Sequence, residues 1–216
     1  MAMTDQNRPL VGILWMLATG LSFVVVTGVV RHLGTDLPAA QSAFIRFLYG
    51  LVFLMPSLLP TLRRGLPAGA WPLVLGRGGL HVVAVTLWFF AMARIPVAEV
   101  TAIGYLNPIV VPVGAALLFG ERLAARRVLA IAVALLGALI ILRPGMREVA
   151  PGHFAQLGAA LSFVLSYLIA KRLSAEIPAG ALVALLSLTV TVGLAPLALA
   201  AWVPPTPLQL AWLGVV

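Results

Sequence analysis

Arg77 and His81 are polar residues in an apolar stretch, and their spacing suits the binding of a small molecule. They are four residues apart, so a helix would place them on one face, together with Ala84 and Trp88. A guanidinium offers five N–H donors, and an imidazole can donate, accept or carry a proton. The alternative, which we favour for Arg77, is that its side chain extends along the helix to reach water. His81 is too short to do so.

A second group of polar residues lies in the apolar stretch 97–119. Prolines there free backbone carbonyls that a ligand could use, although they could equally produce a kink that serves packing alone. The candidate binding residues of this stretch are Thr101, Tyr105, Asn107 and Pro108, with Pro112 one turn further on. Glu99 is the one acid inside a predicted span, and it falls in the first helical turn. A helix N-terminus favours a carboxylate, so we predict a structural role for Glu99.

Small hydroxyl residues form two matching pairs, Thr19 with Ser22 and Ser162 with Ser166. Each pair would lie on one face of a helix, where it either lines a cavity or joins neighbouring helices by hydrogen bonds. We favour packing as the role of each pair. Ser22 and Ser162 remain candidates for substrate binding.

The composition places all of these residues in a membrane. The 216-residue chain is 62% hydrophobic and 9% charged, whereas about a quarter of the residues of soluble domains are charged. Its net charge of +8 comes from basic residues that stand singly or in pairs between apolar runs, a pattern that argues against nucleic acid as a partner. There is no cysteine and there are three scattered histidines, so we predict no disulfide, no metal site and no cofactor.

Apolar runs long enough to cross a bilayer core of about 30 Å recur along the chain. We predict seven full spans and the start of an eighth, at 10–30, 41–60, 73–93, 97–119, 125–142, 153–173, 180–202 and 208–216. The loops on one side hold eight lysines and arginines and those on the other side hold four. The positive-inside rule therefore predicts a cytoplasmic N-terminus in a cell inner membrane. Arg46 lies inside a span, and we expect its side chain to extend toward the outer surface.

The sequence repeats itself at an offset of 140 residues. Segments 12–39 and 152–179 align without a gap and are identical at nine of 28 positions, against roughly three expected from shared apolar composition. Five spans separate the two copies, so the second copy enters the membrane from the opposite side, as in many secondary transporters. We predict one five-helix repeat at 1–144 and an incomplete one at 145–216. We therefore expect the sequence to be a C-terminally truncated copy of a ten-helix protein.

The fourth and fifth predicted spans resemble a known family. A mid-helix proline, Pro108, is followed by Gly-Glu-Arg-Leu at 120–123, and a glycine-containing helix then closes on Arg-Pro-Gly at 143–145. This pattern is similar to the EamA-type branch of the drug/metabolite transporter superfamily. The resemblance implies an all-α polytopic bundle that moves small metabolites, such as amino acids, nucleotide-derived compounds, vitamins or drugs, by alternating access.

The combined prediction is an integral inner-membrane secondary transporter with a small-molecule substrate. The alternatives are a structural or receptor-like membrane protein that does not transport, and an inactive fragment of a transporter. We do not predict an enzyme, because the chain lacks His-Glu-x-x-His, Gly-x-Ser-x-Gly and paired intramembrane aspartates. No residue pattern selects the substrate, the direction of transport or the oligomeric state.

Coupling to protons would have to use His81 or Glu99, or else the protein is a facilitator or an exchanger. We favour a neutral His81 that hydrogen-bonds the substrate, because Arg77 on the same face disfavours a second positive charge. The sequence thus predicts transport that is not strictly driven by protons.

Overall fold

The computed structural model describes residues 9–33, 37–105, 107, 110–111, 113–114, 116, 124–142 and 149–215. Within these ranges the chain forms helices and no strand, as predicted. The helices in chain order are α1 (Pro9–Leu33), α2 (Ala39–Arg64), α3 (Ala70–Met92), α4 (Val97–Gly104), α5 (Ala125–Leu142), α6 (Pro151–Leu173), α7 (Ala179–Ala200) and α8 (Pro207–Val215).

Four of the described helices, α2, α3, α6 and α7, are long and apolar enough to cross a bilayer. Shorter apolar stretches occupy Ile13–Val29 in α1 and Val128–Gly137 in α5. Apart from the fourth span, the helices begin and end close to the predicted bounds, and α5 coincides with the predicted span 125–142. Length and apolar composition, which are local properties of the sequence, account for this agreement.

The fourth predicted span, 97–119, differs from its prediction within the described residues. α4 begins at Val97 as expected but ends at Gly104, and Tyr105 lies in a turn. Helical conformation returns at several described residues between 107 and 116, while Pro108 and Pro112 lie outside the described residues. Glycine is a poor helix former, so an end of the helix at Gly104 is physically expected.

Prolines precede three of the helices. Pro38, Pro96 and Pro178 stand before α2, α4 and α7 with φ of −54°, −55° and −56°. Proline lacks an N–H group, and its φ is close to the helical value, so a helix can begin beside it without loss of a backbone hydrogen bond. The turn between α2 and α3 uses Gly65 and Gly69, whose φ values of 80° and 75° favour glycine.

Helix α3 packs against both α6 and α7, and α2 packs along α7. Glycines permit close approach where α3 and α7 cross: Gly78 lies against Thr189, and Gly193 lies against Val82. Lipid tails are as apolar as leucine, so membrane helices associate through close van der Waals packing of this kind. The crossing of α3 and α7 therefore depends on the absence of side chains at these two glycines.

Helices α1 and α5 contribute little to the described core. Trp15 in α1 is 70% exposed and Ile140 in α5 is 72% exposed. α1 contacts α8, and α5 contacts α4. Large exposed apolar side chains on helices of this kind suit contact with lipid tails.

Gln41 ties the start of α2 to the segment between α7 and α8. Its side chain is fully buried. Its Nε2 donates a 2.6 Å hydrogen bond to the Val203 carbonyl, and the Val203 amide donates a 2.9 Å hydrogen bond back to Oε1. A buried polar side chain is tolerated when its polar atoms are hydrogen-bonded, and both Nε2 and Oε1 of Gln41 make such a bond.

Candidate functional site

Arg77 is buried between helices, with 8% of its surface exposed. Its Nη1 donates a 2.9 Å hydrogen bond to the Leu182 carbonyl in the first turn of α7. Its Nε is buried and has no hydrogen-bond partner among the described residues. The guanidinium therefore crosses to α7, which differs from our expectation that it would follow α3 toward water.

His81 lies one turn beyond Arg77 on α3 and is also buried. Its Nδ1 is 3.4 Å from the Ser166 hydroxyl of α6, and that hydroxyl donates to the Arg77 carbonyl, also at 3.4 Å. Because the hydroxyl proton points to the carbonyl, the serine oxygen is left to accept a hydrogen bond from Nδ1–H. Ser166 thus connects α6 to both polar residues of α3, through contacts at the long end of the hydrogen-bond range.

Aromatic rings surround the imidazole. The His81 ring meets Phe47 of α2 and Phe163 of α6 edge to face, with centroid distances of 5.7 and 5.0 Å. Phe163 in turn stacks on Tyr167, with a centroid distance of 6.1 Å. These are favourable geometries for aromatic pairs. A series of four rings therefore runs from α2 through α3 to α6.

A second guanidinium, that of Arg46, approaches the same rings from α2. Its Cζ lies 5.1 Å from the Phe47 centroid, within the distance for a cation–π contact. The same Phe47 ring meets His81, so Arg46 adjoins the group that includes Arg77 and His81. We call these residues together the polar–aromatic cluster: Arg46, Phe47, Arg77, His81, Phe163, Ser166 and Tyr167.

The polar–aromatic cluster has the chemistry of a binding site. Guanidinium groups donate hydrogen bonds to acceptor atoms of a ligand, and aromatic rings stack on planar groups. The helices that build it, α2, α3, α6 and α7, contain no aspartate or glutamate. In the described part of the chain, no group of three or more histidine, cysteine or acidic residues could hold a metal ion.

The structure brings only some of the predicted binding residues into this cluster. Arg77 and His81 belong to it, and Ser162 is half-buried next to Phe163 in sequence. Trp88 is buried two turns further along α3, where its ring meets that of Phe89 with a 5.1 Å centroid distance. Trp88 thus belongs to an adjoining apolar cluster, against which Phe163 also packs.

The hydrogen bonds and ring contacts described above for the cluster do not involve the other predicted residues that the structure describes. Thr101 is half-buried in α4, and Tyr105 is 56% exposed. The Oδ1 atom of Asn107 is buried without a hydrogen-bond partner among the described residues. Ser22 is exposed and donates a 2.9 Å hydrogen bond to the Ala18 carbonyl of its own helix. Pro108 lies outside the described residues.

Glu99 pairs with His153, which joins the start of α4 to the start of α6. The Nε2 of His153 is 2.8 Å from Oε2 of Glu99. Nδ1 of the same ring lies 3.0 Å from the Ala150 amide nitrogen and 3.1 Å from the Ala150 carbonyl oxygen. A carboxylate only accepts hydrogen bonds, so Nε2–H donates to Glu99. Glu99 lies in the first turn of α4, as predicted, and is 4% exposed.

We predict that His153→Ala and Glu99→Ala each lower the free energy of unfolding by about 1–3 kcal/mol, because either change removes a hydrogen bond to a buried carboxylate. The double variant should cost less than the sum of the two single variants, since both remove the same contact. Thermal unfolding in detergent measures this. Glu176→Ala, which changes an exposed acid, is the matched control. Strictly additive losses would contradict a direct coupling.

Analysis of the sequence missed the aromatic part of the cluster. Phe47, Phe163 and Tyr167 were not candidates, and Arg46 was considered only as a residue that extends toward the surface. One signal was present: Phe163 and Tyr167 are four residues apart and stand directly after Ser162 and Ser166. A helix therefore carries rings and hydroxyl groups on adjoining faces, which is a pattern that favours a ligand-binding surface.

Curated proteins similar to this chain are named transporters. The riboflavin transporter of Vibrio cholerae serotype O1 is 29% identical over 218 residues, which cover 99% of this chain and 73% of the relative. The S-adenosylmethionine uptake transporter of Rickettsia prowazekii is 23% identical over 205 residues, which cover 95% of this chain and 70% of the relative. Both similarities extend along nearly the whole chain.

The fold also has a solved counterpart. One crystal structure matches with a TM-score of 0.66 at 22% identity, over 88% of this chain and 70% of its own chain. The sequence profile of the EamA-like transporter family matches residues 10–143. That match includes α1 to α5 and covers more than half of the chain. The chain belongs to the EamA-like transporter family.

Proposed function

We propose that this protein is an inner-membrane secondary transporter that moves a small metabolite by alternating access. The polar–aromatic cluster carries the proposal. At 1.5 Å per residue, Arg77 and His81 lie about 10 and 16 Å from the start of α3, well inside a membrane span. Charged side chains at such depths are costly and usually mark a substrate pathway. In a member of a transporter family, a pathway for substrate is the role that suits them.

The proposal includes an inverted repeat, with units at 1–144 and 145–216. The offset of 140 residues relates α1 to α6, α2 to α7 and α3 to α8. Under this offset, the contact of α3 with α6 corresponds to a contact of α8 with α1, and the contact of α3 with α7 corresponds to a contact of α8 with α2. Both of these corresponding contacts occur. Leu37 and Ile177, which the offset pairs, are both buried, and each precedes a proline at a helix start. These correspondences support two copies of one helical unit.

We propose a metabolite with a planar ring as the substrate, because riboflavin and S-adenosylmethionine, for which the relatives are named, both contain a planar heterocycle. Arg77 and His81 would contact it, and the rings of Phe47 and Phe163 would stack beside it. The further residues that we propose to line its path are Ser22, Trp88, Thr101, Tyr105, Asn107, Pro108 and Ser162.

The proposed orientation predicts the outcome of reporter fusions. A reporter that is active only in the periplasm should be active when it is fused after Arg147 and inactive when it is fused after Arg126. The expectation rests on the excess of basic residues, eight against four, in loops on the N-terminal side. The opposite pattern of activities would exclude a cytoplasmic N-terminus.

Transport itself can be measured with purified protein in liposomes. Vesicles loaded with unlabelled riboflavin should take up labelled riboflavin by exchange, without ATP, because a secondary carrier exchanges substrate across its two open states. S-adenosylmethionine should be tested in parallel, with protein-free vesicles as the control. Absence of exchange for both compounds by correctly folded protein would favour a structural or receptor-like role, and a requirement for ATP would exclude a secondary carrier.

A further inference from the structure

The charge of the polar–aromatic cluster points to the kind of group that it binds. We propose that Arg46 and Arg77 make the site prefer planar-ring compounds that also carry an anionic group, a carboxylate or a phosphate, over neutral ring compounds such as riboflavin. The inference rests on the proposed transport function, and it narrows the substrate class of the same site.

The first argument is the missing negative charge. Arg77 on α3 is buried and Arg46 on α2 is half-buried, and the sequences of α2, α3, α6 and α7 contain no aspartate or glutamate. Among the described acids, Glu99 pairs with His153 and Glu176 is exposed in the turn after α6. An unpaired charge removed from water is costly, and a counter-ion offsets that cost. Neither guanidinium has an ion pair among the described residues, so an anionic ligand would supply the compensation.

The second argument is the unused hydrogen-bonding capacity of Arg77. Its side chain is more than nine-tenths buried, and its Nε–H has no partner among the described residues. Its Nη1 donates to the Leu182 carbonyl, which is a neutral acceptor and leaves the positive charge uncompensated. A carboxylate or phosphate forms paired hydrogen bonds with a guanidinium, and such bonds are stronger than those to neutral acceptors.

The third argument is the convergence of groups from three helices. Arg46 on α2 lies over the Phe47 ring, and that ring meets His81, which lies one turn from Arg77 on α3. Tyr167 stacks on Phe163, whose ring meets His81. An acidic group between the guanidiniums would therefore have aromatic surface beside it, which suits a planar ring carried by the same molecule.

A matched pair of probes tests this inference. Indole-3-acetate and indole-3-acetamide have the same ring and nearly the same shape, and only the first is an anion. Binding of labelled indole-3-acetate to the purified chain, in nanodiscs of phosphatidylcholine, should be displaced by unlabelled acid at about a tenth or less of the amide concentration, since charge-assisted bonds are the stronger ones. Equal potency of the two compounds, or no binding of the acid at millimolar concentration, overturns the inference.

Substitutions test whether the preference for the acid over the amide arises at the polar–aromatic cluster. Arg77→Gln and Arg46→Gln should each abolish the preference for the acid, while Arg94→Gln should keep it, because Arg94 is exposed and lies over the Phe90 ring outside the cluster. If Arg77→Gln fails to fold, Arg77→Lys still tests the site. It retains the positive charge and should therefore keep part of the preference for the acid. A preference for the acid that survives both glutamine variants would exclude this site.

Lipid headgroups are a second source of the same anionic chemistry. Nanodiscs that contain phosphatidylglycerol distinguish a lipid headgroup from a substrate as the bound anion. We expect binding of indole-3-acetate to be unchanged in these nanodiscs. Loss of that binding would mean that the guanidiniums bind headgroup phosphates, and it would overturn the inference. The assay does not depend on transport. Exchange of a neutral compound without any preference for acids would refute this inference alone, whereas acid binding without exchange of any compound would refute the transport proposal alone.

Discussion

Gly78→Leu is expected to prevent normal assembly of the helix bundle. A Cβ atom at Gly78 would overlap the Thr189 hydroxyl and lie 2.5 Å from the Thr189 Cβ, which is held close to the α7 backbone. Neither side can yield by a simple rotation, so α3 and α7 must separate. Even Gly78→Ala should cost about 1–3 kcal/mol, the usual cost of overpacking. Leucine adds three more carbons at the same point.

The expected result is a lower yield of monodisperse protein in detergent and a lower unfolding temperature, with leucine worse than alanine. Gly79 provides a matched control, because nothing lies within 4 Å of a Cβ at that position. Gly79→Ala should be tolerated, since alanine is the better helix former. Thr189→Gly should restore part of the stability lost in Gly78→Ala by returning the space. Equal behaviour of the two alanine variants would refute a close crossing at Gly78.

His81→Leu is expected to reduce substrate exchange by roughly tenfold to a hundredfold, the equivalent of about 1–3 kcal/mol for a lost buried hydrogen bond. The variant removes the group that Ser166 contacts at 3.4 Å and leaves a residue that cannot hydrogen-bond the substrate. His81→Gln keeps a neutral polar group in nearly the same place, so it should retain most of the exchange. Initial rates of exchange in liposomes measure both effects.

The same assay tests whether His81 carries protons. Arg77 lies one turn from His81 on α3, while Arg46 lies over Phe47 and Tyr167 stacks on Phe163, the two rings that meet His81. No carboxylate of α2, α3 or α6 is available to exchange a proton with the imidazole. Exchange by the wild type should therefore change little between pH 6 and pH 8. A steep pH dependence that His81→Gln loses while it still exchanges substrate would identify His81 as a proton carrier and refute the neutral role.

Gly78 and His81 are neighbours on α3, and their variants test two different properties, helix packing and substrate exchange. Gly78 determines how closely α3 approaches α7, and His81 presents its polar edge to α6. The proposed alternating access would require helices that pack closely and yet move against one another. Small residues permit that movement with little change of contact, whereas a buried charge must find a new partner at each position.

The sequence by itself determined the helical class, most helix ends and the membrane setting of this protein. These features are local. A run of apolar residues must satisfy its own backbone hydrogen bonds in lipid and therefore forms a helix, and Pro38 and Pro178 mark where helices begin. The four-residue spacing of Arg77 and His81 placed them on one helical face without knowledge of any other helix.

The tertiary structure decided what those faces meet. Glu99 and His153 are 54 residues apart in sequence, and His81 and Ser166 are 85 apart. Whether such residues touch depends on the rotation and crossing of whole helices, which close contacts such as that of Gly78 with Thr189 set. The direction of the Arg77 side chain depended on the same arrangement. An arginine extends to water when no nearer acceptor exists, and here the first turn of α7 brings the Leu182 carbonyl within 2.9 Å of Nη1.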